Sequence, residues 1–204
     1  YNMSNLILDI LDKTKLQRLR LSSIDCVEVD ENFNEVLKDQ RVMPHLHLSI
    51  QSGDDMILKR MKRRHNSKDV FQFVDRCKKI RKDISFGADI IAGFPTETDT
   101  MFENTYKLLR DNEISHLHIF PFSPKNNTPA SRMPQVSKSI IKKRAKILRD
   151  LGELILKKVK SKLSLPREIL IEELNSGLAI GYDQNYIKHK VPLVGVPVGE
   201  VIRV

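Results

Sequence analysis

Four short segments concentrate the side chains that could do chemistry. Ser22-Ser23-Ile24-Asp25, Ser49-Ile50-Gln51-Ser52-Gly53, Gly93-Phe94-Pro95-Thr96-Glu97-Thr98 and Phe120-Pro121-Phe122-Ser123-Pro124 are short, polar and rich in small residues. They suit a ligand that carries hydroxyl, amino and carboxylate groups of its own. Upstream of them lie His45, His47, Asp89, His116 and His118, and a basic run closes on Arg63-Arg64. A carboxylate in the middle of an apolar run, as at Asp89, needs a partner, because burying a lone charge is costly. His47 and His118 read as polar groups without catalytic roles. The two cysteines, Cys26 and Cys77, stand far apart in no metal-ligand spacing. That reads as free thiols in a reducing compartment and not as a zinc or cluster site.

The elements that must position these groups follow from periodicity. Strand-like runs at residues 16–23, 45–51, 84–94 and 116–122 alternate with amphipathic helical patterns at 31–40, 54–64, 67–82 and 98–112. The repetition predicts a parallel sheet with crossover helices. Each reactive segment then falls at or just past a strand's C-terminal end, where barrels of parallel strands gather their functional groups. Ser52 with Asp55, and Thr96 with Asp99, read as helix-start signatures. The strands alternate where doubly covered parallel strands would be apolar throughout. His45, His47, Ser49 and Gln51 share one face, against Leu46, Leu48 and Ile50. Arg18, Arg20 and Ser22 oppose Leu19 and Leu21, and His116 and His118 oppose Leu117 and Ile119. Two readings fit: a curved sheet or barrel with a polar lumen, or a sheet with one face in solvent.

From Ser137 to Leu163 one long helix is predicted, apolar at Ile140, Ile141, Ile147, Leu148, Leu151, Leu154 and Ile155 and otherwise strongly basic, Arg144 included. Leu165-Pro166 ends it, since proline disfavours helical geometry in the residue before it. Four β-like runs follow, at 168–174, 178–181, 185–191 and 198–204, with a turn at Asn175-Ser176-Gly177. The organisation is thus residues 1–136, residues 137–165 as a basic connecting helix, and an all-β module over residues 166–204. The formal net charge of +9 favours a polyanionic partner, or else reflects a solvated basic surface. No apolar run approaches the roughly 18 residues of a membrane span, and no signal peptide is visible, so a cytoplasmic protein is expected. The opening at Tyr1 and the closing strand-like run Gly199-Glu200-Val201-Ile202-Arg203-Val204 both read as truncations.

Several of these blocks, taken in order, resemble the radical-SAM methylthiotransferases. They are Leu19-Arg20-Leu21-Ser22-Ser23-Ile24, then His45-Leu46-His47-Leu48-Ser49-Ile50-Gln51-Ser52-Gly53, then Leu58 to Arg64, then Ala88 to Thr98, then Phe120-Pro121-Phe122-Ser123-Pro124. Their order and spacing match over about residues 16–135. The segment after Pro166, with Gly181-Tyr182-Asp183-Gln184-Asn185-Tyr186, resembles the TRAM domain with which these enzymes hold RNA. Among the branches of the family, the wording looks most like the one acting on threonylcarbamoyladenosine beside the tRNA anticodon.

The resemblance implies an α/β fold: the C-terminal part of a radical-SAM partial (βα)6 barrel, followed by an incomplete all-β TRAM domain. It implies a lumen holding S-adenosylmethionine and a 4Fe–4S cluster that cleaves it to a 5′-deoxyadenosyl radical, a second cluster concerned with sulfur delivery, and a tRNA anticodon arm as partner. Carried over by position, Ser22, Ser23, Ser49, Gln51, Asp89, Gly93, Pro95, Phe120 and Pro121 become cofactor-binding candidates, with Gly93 letting the backbone approach the adenine. Arg63, Arg132, Arg167, Tyr182 and Tyr186 become RNA or substrate contacts. Ser22 and Ser23 could instead cap a turn, and Arg63 could be a surface charge. Thr96 stands where the family more often has glycine, and a capping role would accommodate it.

One departure is serious. The family holds its cluster on a Cys-x-x-x-Cys-x-x-Cys motif, and thiolates are the usual ligands of such clusters; this chain has no such motif. The expectation is an enzyme fragment without its N-terminal part, inactive by itself and poorly soluble where a strand edge is left open. The alternatives are an RNA-binding remnant, a fragment of the isopentenyladenosine branch, or an unrelated (βα) enzyme of common architecture.

Overall fold

The computed structural model describes residues 2–163, 166–192 and 195–204; Tyr1 and the expected helix stop at Leu165 lie outside the described residues. The first sheet is parallel, with β1 (Leu19–Ile24), β2 (Val42–Gln51), β3 (Ser85–Ala92) and β4 (Ile114–Pro121) side by side in chain order. Between and around them run α1 (Met3–Lys13), α2 (Phe33–Lys38), α3 (Asp55–Arg60), α4 (Ser67–Ile80) and α5 (Asp99–Asp111). The alternation seen in the sequence is the reason for this layering. Leu46, Leu48 and Ile50 are at most 2% exposed and pack with Ala88, Ile90 and Ala92, while His47, Ser49, Gln51 and Asp89 stay partly open on the other face. The polar-face reading holds, and these strand ends project into one region.

Two helix starts differ from expectation. Asp54, not Ser52, caps α3 by accepting from the N–H groups of Met56 and Ile57. Thr98, not Thr96, caps α5 through Met101 N–H. Ser52 is fully buried instead, its Oγ accepting from Asp54 N–H and facing Thr105 Oγ1 at 3.3 Å. Thr96 has φ 68°, a left-handed conformation that a β-branched residue adopts only under strain. The glycine more usual there would relax it, so this departure has a backbone cost that a capping role would have avoided.

α6 (Lys138–Lys162) starts at the Ser137 cap and lies along β4, where Gly152 leaves room for the Leu117 side chain. Its buried seam contains Ile141, Ala145, Leu148, Leu151 and Ile155, and also Arg144 at 4% exposure. Ile140 and Leu154, expected on the apolar side, face solvent. The helix is thus a covering layer of the parallel sheet as well as a basic surface.

The second sheet is antiparallel, in the order β7 (Lys188–Pro192), β6 (Leu178–Asp183), β5 (Glu168–Asn175), β8 (Val201–Arg203). Ser176 and Gly177, at φ 49° and 80°, make the two-residue turn between β5 and β6, as the sequence suggests. The third β-like run begins three residues later than expected, because Asp183 to Ile187 form a tight turn. Asp183 Oδ1 accepts from the N–H groups of Asn185 and Ile187.

That turn fastens the second sheet to the first. Asn185 Nδ2 donates to Pro44 O (2.9 Å) and Asp83 O (2.6 Å), and Ser85 Oγ donates to Asn185 O (3.2 Å). Arg20 on β1 donates to the carbonyls of Asp183 and Gln184 and lies 5.0 Å over the Tyr186 ring. Tyr186 stacks on Tyr182 (4.6 Å) and on His45 (5.4 Å), which in turn meets His116 edge-on at 4.7 Å. The polar face is therefore closed at this end by aromatic contacts and stays open toward the strand C-termini.

Burial lowers the pKa of His116 to about 4 and holds His45 well below its ordinary range, so both rings sit neutral in this junction. A histidine whose folded pKa is depressed adds stability that is complete above its unfolded pKa of about 6.5 and is lost as pH falls toward the folded value. At about 1.4 kcal/mol per pKa unit, His116 alone accounts for up to about 3 kcal/mol between pH 6.5 and 4. Urea midpoints are expected to drop across that window in the native chain and less in His116→Gln; equal pH dependence in the two proteins would count against this account.

Candidate active site

Three successive strands end in left-handed backbone. Ser23, Gln51 and Gly93 have φ of 58°, 67° and 75°, and the β1–β2 and β2–β3 registers slip at the first two. Positive φ at non-glycine residues costs free energy and tends to cluster at functional sites. Here it turns the chain so that the strand ends present backbone and side chains to a common mouth.

Two adjoining recesses occupy that mouth. A polar one of about 250 Å³ is lined by Ser23, Asp25, Ser49 and Arg63, with Glu28 and Arg64 at its rim. An apolar one of about 470 Å³ is lined by Gln51, Met61, Ile91, Phe94, Pro129 and Ala130. Lys62 and Arg63 border both. Arg63 is not a loose surface charge, because its Nη2 donates to Asp25 Oδ2 (3.2 Å) and Ser49 O (2.9 Å). Its Nε is buried and has no hydrogen-bond partner among the described residues. A buried donor left unpaired costs about 1–3 kcal/mol, which an anionic ligand group would remove.

The turn after β3 is held from behind. Glu97 accepts from Gly93 N–H (3.0 Å) and from Arg144 Nη1 (2.7 Å), with both side chains almost fully buried. Burial pushes the Glu97 carboxyl up, against the pull of Arg144 and the hydrogen bonds it accepts. A Cβ at position 93 would lie 2.4 Å from Ile141 Cγ1. Gly93 thus serves its positive φ and the close approach of α6; what it was expected to admit was the adenine.

The remaining sequence candidates divide clearly. Asp89 lies deeper on the polar face, where His47 Nε2 (2.9 Å) and His118 Nδ1 (3.2 Å) both reach its Oδ1. Those are the partners a mid-strand carboxylate requires. Phe120 is 52% exposed at the end of β4, Pro121 pairs opposite Ala92, and Ser22 is exposed; these three line neither recess. Pro95 sits between Phe94 and the strained Thr96. Arg132 is exposed in the 3-10 turn Pro129–Arg132 beside the mouth.

Arg167 is a correction. It is 7% exposed and pairs with Asp183 and Asn185, so no phosphate can take it without breaking that network. Tyr186 stacks on His45 and Tyr182 and is still 37% exposed. Asp25 and Glu97 stand in the reactive segments read from the sequence but gain no role there, and Arg144 reads only as part of the basic helix; all three shape the mouth. An arginine in register with Ile141, Leu148 and Leu151 along α6 was the available signal for the last.

Residues 6–109 match the Radical SAM superfamily, about half of the chain, and the chain belongs to that superfamily. Within it, the sequence falls with the tRNA methylthiotransferases. It is 50% identical over 183 residues to the threonylcarbamoyladenosine tRNA methylthiotransferase MtaB of Rickettsia prowazekii, covering 87% of this chain and 42% of that protein. The Thermotoga maritima protein of the same name is 41% identical over 187 residues, covering 90% and 43%. The tRNA-2-methylthio-N(6)-dimethylallyladenosine synthase of Ehrlichia canis is 34% identical over 135 residues, covering 66% and 31%. The chain spans less than half the length of these relatives. No helix among the described residues is long and apolar enough to cross a membrane.

Proposed function

We propose that the mouth formed by β1, β2 and β3 binds S-adenosylmethionine in an enzyme that converts N6-threonylcarbamoyladenosine of tRNA to its 2-methylthio derivative. The observation that carries the reading is the pairing of the two recesses. Ser23, Ser49 and the unpaired Arg63 Nε suit the amino-acid end of the cofactor, and Ile91, Phe94 and Met61 suit its adenine. When bound, that cofactor with an iron–sulfur cluster supplies the methyl group and the radical chemistry. Arg63 neutralises the carboxylate while Asp25 fixes the guanidinium in place. The Gly93–Glu97 turn keeps Phe94 against the apolar recess.

Branch choice follows the relatives. Five named for threonylcarbamoyladenosine range from 50% down to 30% identical and three named for dimethylallyladenosine from 34% to 32%, and the two highest identities among them, 50% and 41%, both belong to the first group. Burial pushes the thiols of Cys26 and Cys77 up to about 12, so both are protonated in the free chain, and they stand in no cluster spacing. In this reading the cluster thiolates come from the N-terminal part of the enzyme, and the chain alone does not turn over. The RNA surface comprises Arg132, the exposed lysines of α6 and the outer face of the second sheet, including Tyr182.

Calorimetric titration of the chain with S-adenosylmethionine tests the pocket. Arg63→Ala is expected to weaken binding by about 10- to 100-fold, the size of a hydrogen bond to a charged group; unchanged affinity would remove Arg63 from the site. Filter binding to anticodon arms carrying threonylcarbamoyladenosine, isopentenyladenosine or plain adenosine tests the substrate. Tightest binding to the first is expected, with affinity falling steeply with salt. A preference for the second would transfer the protein to the other branch.

A further inference from the structure

We propose that His47, Asp89 and His118 form a binding site for a divalent transition-metal ion of the zinc or iron(II) class on the polar face of the parallel sheet. The three come from adjacent strands β2, β3 and β4, and the register makes them converge. Asp89 pairs directly with His118, and His47 pairs with Gly87 two residues before Asp89. Gly87 provides the space: a Cβ there would lie 2.6 Å from His47 Nδ1, so only a glycine lets the imidazole lie across β3 toward the carboxylate. Both rings then aim a nitrogen at the same carboxylate oxygen, at 2.9 and 3.2 Å, and one ligand atom from each residue lies within 4.8 Å of the others. Bond lengths of about 2.0–2.2 Å to zinc place neighbouring ligand atoms a little over 3 Å apart; the two histidine–carboxylate spacings of 2.9 and 3.2 Å are close to this, and the two imidazole nitrogens lie within 4.8 Å of each other.

The donor set decides the class of ion. Two imidazoles and one carboxylate suit zinc and iron(II), whereas magnesium and calcium prefer all-oxygen shells and copper(I) prefers sulfur. The site is graded in exposure, with the side chain of His47 at 12%, Asp89 at 26% and His118 at 59%. Three protein ligands with one open side are the arrangement of a centre that keeps a position for water or a substrate atom, not that of a closed structural site. The inference shares Asp89 with the cofactor candidates that the resemblance implies, and the cofactor reading asks nothing of His47 or His118.

The test uses the whole chain, freed of metal by a chelator and titrated with cobalt(II) alone. Binding of about one equivalent is expected, with the visible ligand-field bands of a low-coordinate nitrogen and oxygen site. His118→Ala and Asp89→Asn are each expected to weaken binding by about 100-fold or more, since each removes a direct ligand. Melting curves establish that both variants are folded; His118, the most exposed of the three, is the safer substitution. Cys26→Ser separates this site from the other group of possible ligands, Asp25, Cys26 and His65, and should leave the bands unchanged. The proposal is overturned if the bands are absent, if they survive His118→Ala, or if they carry thiolate charge-transfer absorption that Cys26→Ser removes. In those cases the trio is a hydrogen-bonded group that only holds the strands in register.

Discussion

Replacing Asp183 with alanine is expected to destabilise the protein by about 3–5 kcal/mol and to release the antiparallel sheet from the parallel one. Asp183 is fully buried and is the hub of the junction. It accepts from Arg167 Nε at 3.0 Å, with Nη2 2.7 Å away in the ion pair, faces His189 Nε2 at 2.9 Å and accepts from two backbone N–H groups of its own turn. Alanine would leave the Arg167 guanidinium buried without its counter-charge and would undo the turn that presents Asn185 to Pro44 and Asp83. The loss therefore exceeds that of one hydrogen bond, because the desolvation cost of the arginine stays when its compensation is gone. The chain has no tryptophan, so urea unfolding is best followed by circular dichroism, with the Tyr182–Tyr186 stack as a near-ultraviolet signal. A loss below about 1 kcal/mol would mean the junction is held mainly by the aromatic stack and not by this network.

A second effect of similar size is expected at the turn after β3. Arg144→Ala should also cost about 3–5 kcal/mol, since it strands a buried carboxylate. Arg144 makes two bonds to Glu97, one to Asp99 and a contact with the Phe102 ring at 5.4 Å. Glu97 in turn fixes Gly93 N–H, so the turn bordering the apolar recess should loosen and cofactor affinity should fall with stability.

The pH dependence gives this variant a signature. Without Arg144, the Glu97 carboxyl, already pushed up by burial, loses its main opposing charge. A carboxyl with a raised folded pKa binds its proton more tightly in the native state, so its penalty grows as pH rises above the unfolded value of about 4.3 and is relieved below it. The deficit of Arg144→Ala should accordingly be smaller at pH 5 than at pH 7.5. Adding Glu97→Gln to Arg144→Met should recover most of the loss, because removing both charges removes the uncompensated one. A deficit independent of pH, or no recovery in the double variant, would assign the effect to packing against Phe102.

Much of this protein was legible from residue order. The strand and helix sequence followed from periodicity, because an alternating run such as His45–Gln51 has only one amphipathic solution and the apolar seam of α6 repeats at helical spacing. The gathering of Ser23, Ser49 and Gln51 at one mouth followed as well, since parallel strands place all their C-terminal ends on one side. The basic surface and the absence of a cluster motif are properties of composition and needed no coordinates.

Local pattern could not show which polar groups spend themselves on one another. Arg167 and Tyr182 look alike to a reader of the chain, yet only Arg167 finds a fully buried acid, Asp183, and is consumed by it. Arg144 stands among lysines in sequence and among leucines in space, because the identity of Glu97 as its partner, 47 positions away, is set by how α6 lies on β4. Asn185 reads as the start of a strand, but its amide is spent on carbonyls from the parallel sheet. His47, Asp89 and His118 are separated by 42 and 29 positions, and strand register alone brings them to a single oxygen. Sequence determines what each side chain can do within a few residues, through spacing and backbone preference. Pairing of charges across strands depends on register and burial, and those exist only once the sheet has formed.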